Sequence, residues 1–374
     1  MIVVGNAGPD IRSDVKISAS PAESFELNIC STVFALYGEQ IRTQVEEIWR
    51  KFDSPNVRLE IEDSGALPFV IQARLESALA QVMGHPAPKV TSEVRKSARF
   101  GWRRTRLYVP GNTPKLHLNL DLYGADAVIL DLEDAVSDAQ KDEARQLVCH
   151  TLAQMDFGES EKMVRINEGA RGIADAIAAV AAGAETILIP KVESADQVRE
   201  LVKSIGERTS LIPLIESPLG VERCFEVAAS SPQVCAMSLG LADYLLQLGA
   251  TRTEAQTESL FAQSRLINAA RAAGIQPLAS VFPGFEDPQA VLEYAAFARG
   301  LGYEGVGCIH PSQIAPVHEA FSAGIEADEA MEIVREFESA MANGVAVIQV
   351  RGKMVDKPIY ERAKRVLRQG EDGK

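Results

Sequence analysis

Residues 127–134, AVILDLED, form a short apolar run with an acidic end, and units of this kind recur along most of the chain. In each unit a run of mainly β-branched residues ends in polar groups and is followed by an Ala-rich helical stretch. The predicted strands are 104–109, 127–130, 163–166, 186–189, 211–215, 236–239, 277–281 and 305–309. About eight alternating strands and helices predict a (β/α)8 TIM barrel, and no G-x-G-x-x-G follows any strand as a dinucleotide fold would require.

A small α+β domain is predicted before the barrel. Residues 14–18, 25–30 and 57–61 alternate as strands do, whereas 39–52 and 70–82 have helical spacing. A polar stretch with two prolines follows and is typical of a linker. We therefore expect a small domain at 1–90, a linker at 91–100, the barrel domain at 101–345 and a C-terminal segment at 346–374.

Composition excludes several partner classes. The 374 residues are 46% hydrophobic and carry 38 Lys+Arg against 52 Asp+Glu, a net charge of −14. Such a surface repels nucleic acid and anionic membranes, and no apolar run approaches the ~20 residues of a membrane span. The five cysteines form no C-x-x-C pair and are odd in number, which predicts a reduced, cytoplasmic setting.

Charged residues follow most of the predicted strands, where TIM barrels place their catalytic groups. These candidates are Asp131, Glu133, Asp134, Arg165, Lys191, Glu216, Asp243 and His310. Glu216 ends an apolar strand and Asp243 follows the next one, so the two could hold a hard divalent ion through oxygen ligands. The alternative is that each forms a salt bridge with a neighbouring Arg or Lys.

Basic residues near the strands suggest an anionic ligand. Arg104 and Arg165 could clamp a carboxylate or phosphate bidentately, and the alternative is an ion pair with the acidic cluster at 131–134. Lys191 and His310 are further candidates for ligand contact. No G-x-S-x-G elbow and no P-loop occur, which disfavours a serine hydrolase and a P-loop nucleotide site.

Successive motifs across residues 100–370 resemble the citrate lyase beta subunit family of HpcH/HpaI aldolases. They are RRTRLYVPGN at 103–112, DLEDAV at 131–136, VRIN at 164–167, PKVE at 190–193, IESPLG at 215–220, IHPSQI at 309–314 and GKMVD at 352–356. The resemblance implies Mg2+ bound by Glu216 and Asp243, with Arg104 and Arg165 at the substrate. It also implies a homotrimer or hexamer in which Asp356 enters the neighbouring subunit's site, and a citrate lyase alpha subunit as a partner.

The N-terminal region is similar to the acyl carrier protein, or gamma subunit, of citrate lyase. The similarity rests on NAG at 6–8, SDV at 13–15, YGEQIR at 37–42 and DSGAL at 63–67. The family's modified Ser aligns without gaps to Arg12. Ser13 beside it could therefore carry the phosphoribosyl-dephospho-CoA arm, or the domain could serve assembly only, with free CoA thioesters as substrates.

The resemblance implies retro-Claisen cleavage of a citryl thioester to acetyl thioester and oxaloacetate. In this interpretation Arg165 binds the substrate carboxylate, Arg104 stabilises the enolate, and Asp356 transfers the proton. The alternatives are a lyase or thioesterase that acts on free malyl-CoA or citramalyl-CoA, and a non-catalytic assembly subunit.

Overall fold

A computed structural model describes residues 1–93, 101–253, 255–322 and 327–371. Most of the predicted linker, residues 94–100, lies outside the described residues. Close packing divides the chain into two compact units, 1–96 with 108–191 and 196–211, and 97–107 with 192–195 and 212–374. Among the helices in the described ranges, none has the length and apolar composition that a bilayer crossing requires.

The N-terminal domain is a four-stranded sheet with two helices, which confirms the predicted α+β class and adds one strand to the three predicted. Its elements are β1 (Ile2–Val4), β2 (Val15–Pro21), β3 (Glu26–Ser31), α1 (Phe34–Lys51), β4 (Val57–Asp63) and α2 (Pro68–Met83). The strand order is β1-β2-β4-β3, with β3 parallel to β4 and the other pairs antiparallel. Alternate residues of β2, namely Val15, Ile17 and Ala19, are fully buried because one face of the sheet packs on the helices. The three-residue β1 was too short to be predicted.

Eight parallel strands close into a barrel, which confirms the predicted fold class. They are β5 (Thr105–Pro110), β6 (Ala127–Asp131), β7 (Glu161–Arg165), β8 (Thr186–Ile189), β9 (Ser210–Ile215), β10 (Ala236–Leu239), β11 (Gln276–Val281) and β12 (Val306–Cys308). The strands differ from the predicted ranges by no more than two residues at either end. Every residue of β6 is buried, as expected for a parallel strand covered on both faces.

Helices follow the strands around the barrel. They are α3 (Lys141–Gln154), α4 (Gly169–Ala182), α5 (Ala195–Ile205), α6 (Pro218–Glu222), α7 (Cys224–Ala228), α8 (Leu241–Leu248), α9 (Leu260–Ala272), α10 (Pro288–Leu301) and α11 (Ile314–Ser322).

The chain ends in a module with a core of its own. It consists of α12 (Ala327–Ala342), a hairpin of β13 (Ile348–Val350) and β14 (Lys353–Val355), and α13 (Lys357–Glu371). Phe337 stacks on Tyr360, and the two rings pack with Val350 and Val355. The module therefore begins before residue 346, where the sequence predicted the C-terminal segment to start.

Candidate active site

The carboxyl ends of β6 and β7 present a buried ion pair. Asp131 and Arg165 are the last residues of these strands and lie opposite each other in the parallel register. Arg165 donates from Nε and Nη2 to the two carboxylate oxygens of Asp131, at 2.7 and 2.6 Å. Burial disfavours the charged guanidinium, but these hydrogen bonds outweigh it and raise the pKa of Arg165 above its usual value. Arg165 is thus a fixed, permanent cation at the barrel rim.

The backbone around Asp131 explains why this pair forms. The Asp131 carboxylate accepts the N–H of Glu133 at 3.0 Å, while its carbonyl accepts the N–H of Gly111 at 2.8 Å. A Cβ at position 111 would lie 2.6 Å from that carbonyl oxygen, so only glycine allows the β5 turn to approach so closely.

Glu133 extends the ion pair into a network with two cations. Its carboxylate lies 2.7 Å from Arg165 Nη1 and 3.0 Å from Lys191 Nζ. Burial raises the pKa of Glu133 although both cations oppose this shift. Lys191 also pairs with Glu168 at 2.9 Å, and its backbone is left-handed with φ of 49°. The ion pair that the sequence left open as an alternative for Arg165 is therefore present, and Lys191 belongs to the same network.

The two acids predicted to bind metal lie in the second compact unit. Glu216 follows β9 directly and is 4% exposed. A Cβ at Gly240 would fall on the Glu216 carboxylate, and Gly240 N–H donates to Ile215 O at 2.9 Å. Gly240 immediately precedes α8, whose first turn carries the half-buried Asp243. Asp243 is therefore a helix residue and not a strand end, but the glycine still brings the Glu216 carboxylate to the start of its helix.

These donors fit a hard cation. Carboxylate oxygens are the ligands that Mg2+ takes in proteins, usually with one or two acids and the remaining positions filled by water or substrate. Within the described ranges no three His, Cys, Asp or Glu side chains are grouped as metal ligands. The assignment of Mg2+ to Glu216 and Asp243 stays a prediction.

His310 follows β12 and forms an exposed aromatic pair. Its ring stacks on Phe285 with 4.8 Å between centroids, and its Nδ1 lies 2.8 Å from Ser312 Oγ. Gln313 Nε2 donates to the carbonyls of Phe282 and Gly284, which secures the loop after β11. That loop lines a cavity of ≈ 330 Å³. Sequence reasoning missed Phe285 and Gln313, because a loop aromatic and an amide carry no periodic signal.

Arg104 does not lie at the rim. It precedes β5, and its carbonyl accepts the N–H of Val306 at the start of β12. Its guanidinium lies 4.9 Å from the centre of the Trp102 ring. TIM barrels act from the carboxyl ends of their strands, so this position at the amino end does not support the predicted substrate contact.

Asp356 and Ser13 lie in turns. Asp356 follows β14, and its carboxylate accepts the N–H of Ile359 in the first turn of α13. Ser13 is half-buried and left-handed with φ of 60°, and its N–H donates to Ser64 O at 3.0 Å. Neither predicted role is tested by these positions.

Comparison with known proteins identifies the family. The HpcH/HpaI aldolase/citrate lyase family profile matches residues 104–311. Citrate lyase subunit beta of Escherichia coli strain K12 is 36% identical over 282 residues, which are 72% of this chain and 93% of that protein. The chain belongs to the HpcH/HpaI aldolase/citrate lyase family. As a family member it is a lyase, which confirms the predicted enzyme class.

Other relatives of this lyase differ in substrate. Mouse mitochondrial citramalyl-CoA lyase is 30% identical over 71% of this chain and 85% of its own length. A crystal structure of CitE from Mycobacterium tuberculosis in complex with magnesium, acetoacetate and coenzyme A is 31% identical, with a TM-score of 0.59 over 73% of this chain and 100% of that one. Residues 4–82 match the profile of the malonate decarboxylase delta subunit, which confirms the carrier-like N-terminal domain.

Proposed function

We propose that this lyase cleaves a citryl thioester, on CoA or a carrier, to acetyl thioester and oxaloacetate with the help of Mg2+. The observation that carries the proposal is the Glu216 carboxylate packed on Gly240, at the start of the helix that bears Asp243. Relatives named for citrate lyase and citramalyl-CoA lyase support thioester cleavage, and a structural neighbour contains magnesium with coenzyme A.

Each candidate residue has a separate role in a retro-Claisen cleavage. The carbon–carbon bond breaks as the tertiary hydroxyl loses its proton, and the bonding electrons pass to the thioester enolate. A bound Mg2+ supplies Lewis acidity to the hydroxyl and the adjacent carboxylate. Arg165, a permanent cation in a fixed orientation, binds the substrate carboxylate. Lys191 and His310 contact the remaining polar groups, and Asp356 accepts or returns the proton.

Arg165 suits this task because Asp131 and Glu133 already hold its guanidinium. A substrate carboxylate that meets an oriented cation loses less conformational freedom on binding than one that must order a free side chain. If Glu133 accepts a proton, Arg165 stays paired with Asp131 and Lys191 with Glu168, so neither cation is left without a counter-charge. Asp131 and Glu133 thus orient the Arg165 guanidinium and do not take the place of the substrate carboxylate.

The test is a kinetic panel with citryl-CoA, citramalyl-CoA and malyl-CoA in the presence and absence of Mg2+. We expect citryl-CoA to give the highest kcat/KM, with 2-oxo acid released and no free thiol. Glu216→Gln and Asp243→Asn should each lower cleavage by ~100-fold or more, since each removes a charged oxygen donor from the ion. Glu226→Gln, an exposed carboxylate on α7, is the matched control.

Three outcomes would count against the proposal. Thiol release without oxo acid would identify a thioesterase, and preference for citramalyl-CoA would move the activity to that substrate. Full cleavage by the Glu216 and Asp243 variants, or in excess chelator, would remove Mg2+ from the reaction.

If Asp356 acts in the site of a neighbouring copy of the chain, mixing two inactive variants should restore activity. Glu216→Gln and Asp356→Asn proteins should each be inactive alone and regain activity when refolded together. No recovery would place Asp356 in its own subunit's site or outside the mechanism.

The carrier role of Ser13 has its own test. Co-expression with an enzyme that transfers phosphoribosyl-dephospho-CoA should add that mass to the wild type and not to Ser13→Ala. An unmodified mass would leave free CoA thioesters as the substrates.

A further inference from the structure

Helix α2 of the N-terminal domain packs on barrel helix α3, in the same compact unit. Arg74 of α2 takes part in this contact and is fully buried. Its Nε and Nη2 donate to the two carboxylate oxygens of Asp14, at 3.1 and 3.2 Å. These two hydrogen bonds fix Arg74 within the N-terminal domain.

The same guanidinium also binds two groups of the barrel. Arg74 Nη1 lies 3.3 Å from Glu143 Oε1 on α3, and Nη2 donates to the carbonyl of Asn112 at 3.1 Å. Glu143 Oε2 in turn accepts the N–H of Gly5 at 3.0 Å. One buried cation therefore joins both domains through two carboxylates and a backbone carbonyl.

A second polar cluster begins two residues further along α2, at Glu76. Glu76 Oε2 accepts hydrogen bonds from Gln146 Nε2 at 2.7 Å and pairs with His150 Nε2 at 2.8 Å, both on α3. Leu147, between these two residues, is fully buried as part of the N-terminal domain's own hydrophobic core. Separation of the domains would expose that core and leave desolvated charges without their partners, which is costly.

Arg74 also connects the N-terminal domain to the predicted substrate cation. Asn112 lies in the turn after β5, and the neighbouring Gly111 donates its N–H to the carbonyl of Asp131. Asp131 holds Arg165 with both carboxylate oxygens. The turn at 111–112 is therefore bound on one side by Arg74 and on the other by the residue that orients Arg165.

We infer that the N-terminal domain is a fixed part of this lyase and not a swinging carrier, and that Arg74 is a positioning residue for Arg165. The positioning role rests on the proposed function, whereas the fixed contact does not. If Ser13 carries an arm, the arm then moves from a base that is rigidly joined to the barrel, because Ser13 is next to Asp14.

The fixed contact can be tested on the wild-type chain by labelling histidines with diethyl pyrocarbonate. His150 is buried in the contact and His85 is exposed, so peptide mass spectrometry compares them in one sample. We expect His150 to react at least about tenfold more slowly than His85, since opening of the contact must precede its reaction. Equal rates would overturn the inference, whatever the enzyme's activity.

The positioning role is tested with Arg74→Met and Arg74→Lys, with the exposed Arg58→Met as the matched control in the same domain. Arg74→Met should speed His150 labelling and raise the KM for citryl-CoA by about tenfold, while its Mg2+ affinity stays unchanged. Arg74→Lys should give values between those of Arg74→Met and the wild type. A KM within about twofold of the Arg58→Met value would overturn the role of Arg74. If Arg74→Met does not fold, Glu143→Gln, which keeps an acceptor for Gly5, replaces it with the same readouts.

Failure of the proposed function would look different. Wild-type protein without lyase activity on the three CoA thioesters and on a carrier-bound citryl thioester would end the proposed reaction, while His150 protection would still report the fixed contact.

Discussion

Replacing Asp131 with Asn should weaken substrate binding through Arg165 without removing any group that touches the substrate. The Asp131 carboxylate accepts two hydrogen bonds from Arg165, at 2.7 and 2.6 Å, and its side chain is 3% exposed. Asn keeps one acceptor oxygen, but its NH2 group faces the guanidinium where the second oxygen was. The variant thus loses one charge-assisted hydrogen bond and the charge of the pair.

The expected loss follows from these contacts. A hydrogen bond to a charged group contributes ~1.5–3 kcal/mol, and 1.4 kcal/mol corresponds to a factor of ten in rate or binding. If this free energy is lost from the stabilisation of the transition state by Arg165, kcat/KM for citryl-CoA should fall by about 10- to 150-fold. Because Glu133 still contacts Arg165, the effect should stay below that of Arg165→Met.

Steady-state kinetics at saturating Mg2+ measure this effect, with thermal unfolding to show that the variant is folded. Asp138→Asn, an acid that is 95% exposed, is the matched control and should change kcat/KM by less than about twofold. An Asp131→Asn enzyme that is as active as this control would refute the view that Asp131 orients Arg165.

Three further predictions concern the metal site and stability. Gly240→Ala should raise the Mg2+ dissociation constant about tenfold or more in calorimetric titration, because its Cβ meets the Glu216 carboxylate, whereas Gly300→Ala in open space should not. His117 is fully buried, and burial together with Arg74 lowers its pKa to about 4 against an opposing hydrogen bond to Pro110. The folded protein thus binds this proton less tightly than the unfolded chain does. The free energy of unfolding in urea should therefore fall by ~1.4 kcal/mol for each pH unit as the pH is lowered from about 6.5 to 4. A free energy that does not change over this range would contradict the prediction. Burial raises the pKa of Glu76, but hydrogen bonds, led by that of His150, outweigh burial and the net shift is downward. The contribution of Glu76 to folding stability should therefore be present above about pH 4.3 and be lost as the pH falls below that value. Glu76→Gln should remove this loss of stability in acid, as measured by melting curves.

The barrel could be predicted from local pattern because each strand–helix unit carries its own signal. β8 and β10 were predicted with their observed bounds, since short buried strands show as continuous apolar runs between polar groups. The short β1 and the C-terminal hairpin were missed because three residues are too few for a period to appear.

The candidate site was predicted less completely. Glu216 and Asp243 were recognisable as acids after apolar strands, and Arg165 as a basic strand end. The role of Arg104 at the substrate came from the family resemblance; the residue precedes β5, and that role stays a prediction. Gly240, Phe285 and Gln313 act through close packing and loop support, for which a single sequence holds no local signal.

Sequence alone determined the fold class, the order of its domains and the acids and bases at the strand ends, because these follow from periodicity over a few neighbouring residues. Only the tertiary structure decided that Asp131 and Glu133 hold Arg165 and that Arg74 joins the N-terminal domain to Glu143 and Asn112. These partners are far apart in the chain, and leaving one of their charges unpaired becomes costly only when folding removes them from water.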